Sequence, residues 1–553
     1  MKHLVSLITL ASGVLSLAAQ QRVEQWGRYE AEFSVSSKAV KGNPFDEPFS
    51  AIFTCGADTL VVPGYYDGPA SDGQRECWKL RFMPTAIGEW HYVTRSPLSG
   101  LDGQQGTVLC TQPSAGNHGP VRVDTTGLHF CYADGLPYLP VGTTSYDWMH
   151  ASNDPAFSTA DPGLTMQQQT LLSLGESGFN KIRSLLLVQN FDRSYPEPDV
   201  FPFMPASTSS AEARWDWTRL NPRYFDHVES CIAGLLDLGI EMDLILFHPY
   251  DGGRWGFDKM PREAGELLCR YVAARLGAYR NVWWSLANEY DFLKEQPLAN
   301  WDAWTDAILA NDPYHHLISI HSYTARYYKY WDERYTHCSI QDQAPVEDFG
   351  RAATVRNIYQ KPVIFDEVCY EGDMTERWGW LSGEEELYRM YQAYIAGTYC
   401  THAECYQYGN PHDFSRDFLA VGGKWQGQSW RRIGFMRQIL ADMPRPMYLP
   451  DSSWDVRTSA CGPGYYMVYL GKKVGEDWRF DLPIRNLRDF YPRLQEGEHY
   501  QVEIIDTWNM TVERCPIVFE TRKQDNYRMV DAEGRSVRLP QKPYLLLRIK
   551  RVE

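Results

Sequence analysis

The sequence contains no Cys-x-x-Cys pair and no Cys/His cluster at zinc-ligand spacing, although its 12 cysteines are scattered from Cys55 to Cys515. That pattern argues against a structural zinc module. His-Glu-x-x-His, Gly-x-Gly-x-x-Gly, a Walker loop and Gly-x-Ser-x-Gly are all missing. A zincin peptidase, a dinucleotide enzyme, a P-loop NTPase and an α/β-hydrolase esterase thus each lose their signature. No metal and no cofactor is expected, and activity is expected to survive chelation. Positive charge is scarce: 54 Lys and Arg against 70 Asp and Glu give a net charge of −16. Nucleic acids and anionic membranes select for basic patches, so neither is an expected partner. After the N-terminus no uninterrupted apolar stretch reaches membrane-spanning length, and no repeat or low-complexity tract is evident.

The N-terminus itself is apolar. After Met1-Lys2-His3, residues Leu4 to Ala19 are apolar or small, and polar Gln20-Gln21 follow. This reads as a secretory signal peptide cleaved near Ala19. A secreted or periplasmic location is expected, with no transmembrane segment after cleavage. In an exported protein Cys55 and Cys77 could pair, but most cysteines are expected as buried free thiols. Hydrophobic residues at 44% and charged residues at 22% fit an ordered globular chain. Aromatics reach 14%, with 19 Trp and 35 Tyr, which suits either large cores or platforms for sugar rings.

At 553 residues the chain should hold more than one domain. From about Val23 to Asp124 short strand patterns, such as Tyr29 to Val35, Phe49 to Cys55, Cys77 to Phe82 and Glu89 to Arg95, are separated by turn signals such as Pro63-Gly64 and Asp72-Gly73. This predicts an N-terminal β-sandwich. The rhythm then changes. Asn221-Pro222 opens a helix with Phe225, Val228, Ile232, Leu235 and Leu236 on one face, and Gly239 ends it.

Eight apolar runs read as parallel strands: Leu139–Thr144, Asn180–Leu187, Glu241–Phe247, Asn281–Asn288, Leu317–Ser322, Cys338–Gln341, Lys361–Asp366 and Thr398–Glu404. Helical stretches separate most of them, and Trp430 to Leu440 closes the set. The fold expected is an α/β (β/α)8 TIM barrel flanked by two β-sandwiches. A doubly wound open sheet is the rival. The expected divisions are a signal peptide at 1–20, a sandwich at 21–124, a barrel at 125–445 and a second sandwich at 446–553.

A barrel of this kind builds its active site at the C-terminal ends of its strands. Those ends would deliver Arg183, His248 with Tyr250, Asn288 with Glu289, His321 with Tyr323, Gln341 with Asp342, Asp366 with Glu367, and His402 with Glu404. Glycoside hydrolysis needs two carboxyl groups flanking the scissile bond. Strands four and seven stand opposite one another, so Glu289 and Glu367 could face each other across a sugar. Trp284-Ser285-Leu286-Ala287-Asn288-Glu289 resembles the strand-four motif of clan A glycoside hydrolases, and Lys361 to Glu367 resembles their strand-seven motif.

The resemblance implies an acid/base Glu289, a nucleophilic Glu367, an Asn288 that binds the substrate 2-hydroxyl, and an Arg183 that supports the nucleophile. More closely, the layout is similar to the apiosidase-like, barrel-plus-sandwich glycosidases of polysaccharide-degrading bacteria. Asp366 and Glu371 stay open as alternative nucleophiles. His248, His321, Tyr323, His402, Asp366, Glu371 and Trp380 are candidate substrate contacts, and Trp425 a further stacking candidate. The activity expected is hydrolysis of plant or microbial polysaccharide or oligosaccharide by a retaining mechanism. The rival class is a secreted glycan-binding protein built on an inactive barrel.

Overall fold

The computed structural model describes residues 21–190, 195–207, 214–323, 327–342, 349–407, 416–444, 458–462, 464–484 and 494–553. The signal peptide expected at 1–20 and the boundary expected at 445/446 lie outside the described residues.

The N-terminal segment forms a seven-stranded sheet. Strands Tyr29–Ser36, Ser50–Cys55, Arg75–Phe82 and Gly88–Arg95 match the alternation in the sequence. Pro63-Gly64 is not a turn. It lies inside a strand, Asp58–Pro69, whose first half pairs with Ser50–Cys55 and whose second half pairs with Arg75–Phe82. The strand changes partner where it crosses the Phe49 ring. A Cβ at residue 64 would lie 2.2 Å from that ring, so only glycine lets the backbone through. Cys55 and Cys77 carry free thiols.

The central segment contains the parallel strands that the apolar runs foretold. They are Gly142–Thr144 (β1), Lys181–Leu185 (β2), Glu241–Phe247 (β3) and Val282–Ala287 (β4). Then come Ile318–Ser319 with His321–Ser322 (β5), Cys338–Gln341 (β6), Val363–Glu367 (β7) and Tyr399–His402 (β8). The sheet order begins at Ile318–Ser319, runs back through β4, β3, β2 and β1, continues through β8, β7 and β6, and ends at His321–Ser322. Every pairing is parallel. Its two ends are halves of one strand, interrupted at Ile320, so the sheet closes on itself and the open doubly wound arrangement is excluded.

Strand β3 is buried at every position, as expected where helices cover one face and the ring interior the other. The helix Pro222–Asp237 starts with proline in its first turn, while Asn221 makes no side-chain capping bond. Gly239 follows in the left-handed conformation that ends it.

The ring interior is charged rather than oily. Lys181 Nζ lies 2.8 Å from Asp243 and 3.1 Å from Asp366, and both pairs are buried. Trp283 turns toward this interior and donates to Glu241, whereas Trp284 turns outward and donates to Asp312. Strand alternation thus gives adjacent tryptophans opposite surroundings.

Buried ions also join the N-terminal sheet to the barrel. Arg81 donates to Glu229 Oε2 at 2.8 Å, and Arg275 pairs with Glu229 and, at 3.2 Å, with Asp67. The C-terminal segment is another seven-stranded sheet, containing Tyr465–Gly471, His499–Asp506, Thr511–Lys523 and Leu545–Val552. Met467, Tyr469, Ile505 and Leu546 pack into the barrel core, with Tyr469 stacked on Tyr391 at 4.9 Å. Tyr466, Val468, Val502 and Leu547 form a separate core on the other face.

Candidate active site

A cavity of about 360 Å³ opens where the strand ends converge. Its walls include Tyr146, Tyr250, Glu289, Phe292, Tyr323, Gln341, Glu367, Tyr370, Trp378 and Asp417. Glu289 follows β4 in a left-handed backbone conformation, φ 44° and ψ 52°. For a residue with a Cβ this costs on the order of 1–3 kcal/mol. Such strain persists only where the surroundings impose it. Here the turn leaves Asn288 in the wall and presents Glu289 to the cavity. Opposite, the register between β6 and β7 slips by one between Ile340 and Gln341, beside Glu367.

One amide braces both carboxylates. Asn288 Nδ2 donates to the Tyr146 hydroxyl at 3.2 Å and to the Tyr250 hydroxyl at 2.6 Å. Tyr146 donates to Glu367 Oε1 at 2.8 Å, and Tyr250 donates to Glu289 Oε2 at 2.7 Å. Asn288 Oδ1 in turn accepts from Arg183 Nη2 at 2.7 Å. Arg183 Nη1 lies 3.6 Å from Glu367 Oε1, and His321 Nε2 lies 3.4 Å from the same oxygen.

Electrostatics separates the pair. Burial, then the charge of Glu367, pushes the Glu289 carboxyl up to about 8, against the hydrogen bonds from Tyr250 and Gln341. Glu289 is therefore protonated at neutral pH. Glu367 accepts from the Tyr146 phenol and lies beside the Arg183 guanidinium.

The other candidates divide by position. Tyr323 lines the cavity beside Phe292, with ring centroids 4.7 Å apart, and its backbone nitrogen donates to Asp291. Arg183, Asn288 and His321 are fully buried and bond to the carboxylates or to the tyrosines that hold them. His248 is buried and is not among the residues lining the cavity. Its Nε2 donates to Leu187 O and its Nδ1 accepts from Tyr250 N, so it fixes the segment that carries Tyr250. His402 lies outside the barrel wall, bonded to Thr143 and stacked on Phe179, because strand alternation turns it away from the ring interior. Trp425 stacks on Phe418 at 3.7 Å and is packing. Trp380 is 69% exposed and stands outside the cavity, while Trp378 lines it.

Neither alternative nucleophile reaches the cavity. Asp366 sits in the ring interior, accepting from Lys181, Ser339 and Thr401. Burial works to raise its pKa, but Lys181 and Arg183 hold its carboxyl far below the usual range. Glu371 accepts from Tyr406, from the backbone of Gln428 and Ser429, and from the Ser429 hydroxyl. It satisfies the exposed amides that open the helix Ser429–Ala441. Glu371, Glu386 and His402 bring potential ligand atoms within 4.8 Å of one another. The four donors on Glu371 already occupy its oxygens, so the group fits a metal poorly.

The sequence alone missed Tyr146, Phe292, Trp378 and Asp417. Tyr146 lies two residues beyond β1, at a strand end like the others. Trp378 sits in a single 3-10 turn, Arg377–Gly379, and Asp417 caps the four-residue helix Phe418–Val421, elements too short to carry a periodic signal.

Comparisons with known proteins give the chain a family. Residues 124–411 match the family model described as the apiosidase-like catalytic domain. Residues 22–97 match DUF5060 and residues 454–550 match DUF5605, both domains of unknown function. A comparison with curated proteins finds no match. A crystal structure assigned as a glycoside hydrolase from Bacteroides vulgatus ATCC 8482 is 44% identical, with a TM-score of 0.88, covering 96% of this chain and 100% of its own. A family 5 glycoside hydrolase from the same organism is 15% identical, with a TM-score of 0.54, covering 78% of this chain and 94% of its own, and shows a shared fold. The chain therefore belongs to the apiosidase-like family and is a glycoside hydrolase.

Proposed function

We propose that the chain hydrolyses glycosidic bonds of plant or microbial poly- or oligosaccharides with retention of configuration. The observation that carries this reading is the pairing of Glu289 and Glu367 in one cavity, both braced through tyrosine hydroxyls by the Asn288 amide, with burial and Glu367 raising the Glu289 carboxyl. Glu367 attacks the anomeric carbon while protonated Glu289 gives its proton to the departing oxygen. Glu289, now a carboxylate, takes a proton from water as that water cleaves the glycosyl–Glu367 ester. Retention by this route needs the carboxyls roughly 5–5.5 Å apart. Arg183, Asn288, Tyr146 and Tyr250 hold them in register.

We read the flanking sheets as sandwich domains that frame a (β/α)8 barrel, with divisions at 21–124, 125–445 and 446–553. We also infer export through the N-terminal signal, because the first 20 residues have its pattern. Among the described residues no helix is long and apolar enough to cross a membrane.

Azide tests the mechanism. Added to Glu289→Ala with an activated aryl glycoside, it should restore turnover and give a glycosyl azide of retained configuration. An azide of inverted configuration would mean that the roles of the two residues are exchanged. Binding of glycans with no turnover of any glycoside would support the non-catalytic alternative.

A further inference from the structure

We infer that the C-terminal sheet takes part in substrate binding, with Trp508 as a positioning residue that fixes the Tyr370–Trp378 wall of the cavity from behind. Trp508 lies in the segment that matches a domain of unknown function. The inference goes beyond the glycosidase reading, and only its kinetic readout rests on that reading.

The wall belongs to the loop that follows β7. Tyr370 and Trp378 both line the cavity, with ring centroids 6.2 Å apart and planes at 83°. Tyr370 N donates to Trp378 O at 2.7 Å, and Leu381 N donates to Tyr370 O at 3.0 Å. These bonds set the shape of the loop. Glu371, the next residue after Tyr370, ties it to the barrel. Its nitrogen donates to Glu386 Oε2 at 2.6 Å. Its carboxylate accepts from Gln428 N at 2.7 Å and Ser429 N at 2.8 Å, where the helix Ser429–Ala441 begins.

Trp508 closes this arrangement from the C-terminal sheet. It follows the strand His499–Asp506 in a turn pinned by Asp506, whose Oδ1 accepts from Trp508 N at 3.2 Å and from Asn509 N at 2.9 Å. Arg432, in the first turn of the helix that Glu371 caps, lies over the Trp508 ring at 4.0 Å, and its Nε donates to Trp508 O at 3.0 Å. The far end of the indole reaches Gly383, the first residue of the helix Gly383–Ile395. A Cβ there would stand 3.1 Å from Trp508 Cη2 and 2.9 Å from Glu371 Oε1. The contacts thus run in a circuit from Glu371 through Ser429, Arg432, Trp508 and Gly383 back to Glu371.

Packing this close transmits displacement, because a gap removes contacts from every atom that lined it. Without the indole, Gly383 and Glu371 lose their backing, and Tyr370 is bonded directly to Glu371 along the chain. Glu289 and Glu367 are braced separately, through Asn288, Tyr146 and Tyr250. Trp508 therefore acts on the wall that meets the sugar and leaves proton transfer alone.

Trp508→Ala and Gly383→Ala disturb the same contact from its two sides. In each, KM for the aryl glycoside that the wild type cleaves fastest should rise at least about threefold while kcat stays within about twofold, the mark of lost uniform binding. Amide hydrogen exchange across residues 370–382 should speed up at least about tenfold, with β3 and β4 unchanged. Val502→Ala, in the separate core on the other face of the C-terminal sheet, is the control: it should lower the melting temperature and produce neither change. If Trp508→Ala does not fold, Gly383→Ala decides. Unchanged KM or unchanged exchange across 370–382 in the folded variant overturns the inference, and so does an equal KM rise in Val502→Ala. If the wild type cleaves no glycoside, the glycosidase reading fails instead, and the exchange measurement alone decides whether Trp508 holds the wall.

Discussion

The Tyr250 hydroxyl donates to Glu289 Oε2 at 2.7 Å, so the acid candidate is held by a bond that favours its charged form. Burial and Glu367 outweigh that bond and lift the carboxyl to about 8. The general acid must be protonated, so kcat/KM should fall as pH rises through about 8. Tyr250→Phe removes the stabilising donor, and the alkaline limb should then move to higher pH. A pH–rate profile whose alkaline limb moves to lower pH in this variant would contradict the assignment. Because the folded-state value lies above the ordinary carboxyl value of 4.5, Glu289 adds stability below about pH 4.5 and loses that contribution as pH climbs toward 8.

Leaving-group dependence separates the two roles. Glu289→Ala should slow glycosides with poor leaving groups by about 10²–10⁴-fold, the usual worth of general acid help. Activated aryl glycosides, which depart without a proton, should be affected far less at the first step. Equal loss on both substrate types would remove Glu289 from the acid role.

The buried Asp366 and Glu371 should behave unlike Glu367. Glu367→Ala should abolish turnover of every glycoside while leaving the melting temperature near that of the wild type. Glu371→Ala strips the partner from the Gln428 and Ser429 amides and should lower stability by about 1–3 kcal/mol. The protein that remains folded should keep its kcat. Thermal melts alongside initial rates decide this, and a well-folded but inactive Glu371→Ala would reopen the nucleophile assignment.

The Arg81–Glu229–Arg275 cluster sits between the N-terminal sheet and the barrel, away from the cavity. Glu229→Ala leaves two buried guanidiniums without their shared carboxylate and should cost about 3–5 kcal/mol. Denaturant melts should show that loss, and kcat below the transition should be unchanged. A neutral effect on stability would show that Glu30, which already pairs with Arg81, and Asp67 and Asp226, which already pair with Arg275, suffice to hold the two guanidiniums.

Local pattern was enough to locate the strands and two of the acidic residues lining the cavity, Glu289 and Glu367, but not Asp417. Several barrel strands are largely apolar runs that end in polar residues, and chain order alone puts Glu289 after the fourth strand and Glu367 at the end of the seventh. Apolar periodicity and strand alternation act over a few residues, so they can be read directly from the sequence. Pro63-Gly64 misled because the same dipeptide suits a turn or a strand passing over an aromatic ring, and only the position of Phe49 distinguishes them.

The tertiary structure decided which polar strand ends meet a ligand. Asp366 and Glu367 are adjacent in sequence, yet one is buried against Lys181 and the other faces the cavity. The bond from Tyr146 to Glu367 spans 221 positions, and the bond from Arg183 to Asn288 spans 105. Contacts between residues so far apart exist only once the ring has closed, because closure brings those strand ends within hydrogen-bonding reach, and no local preference encodes them.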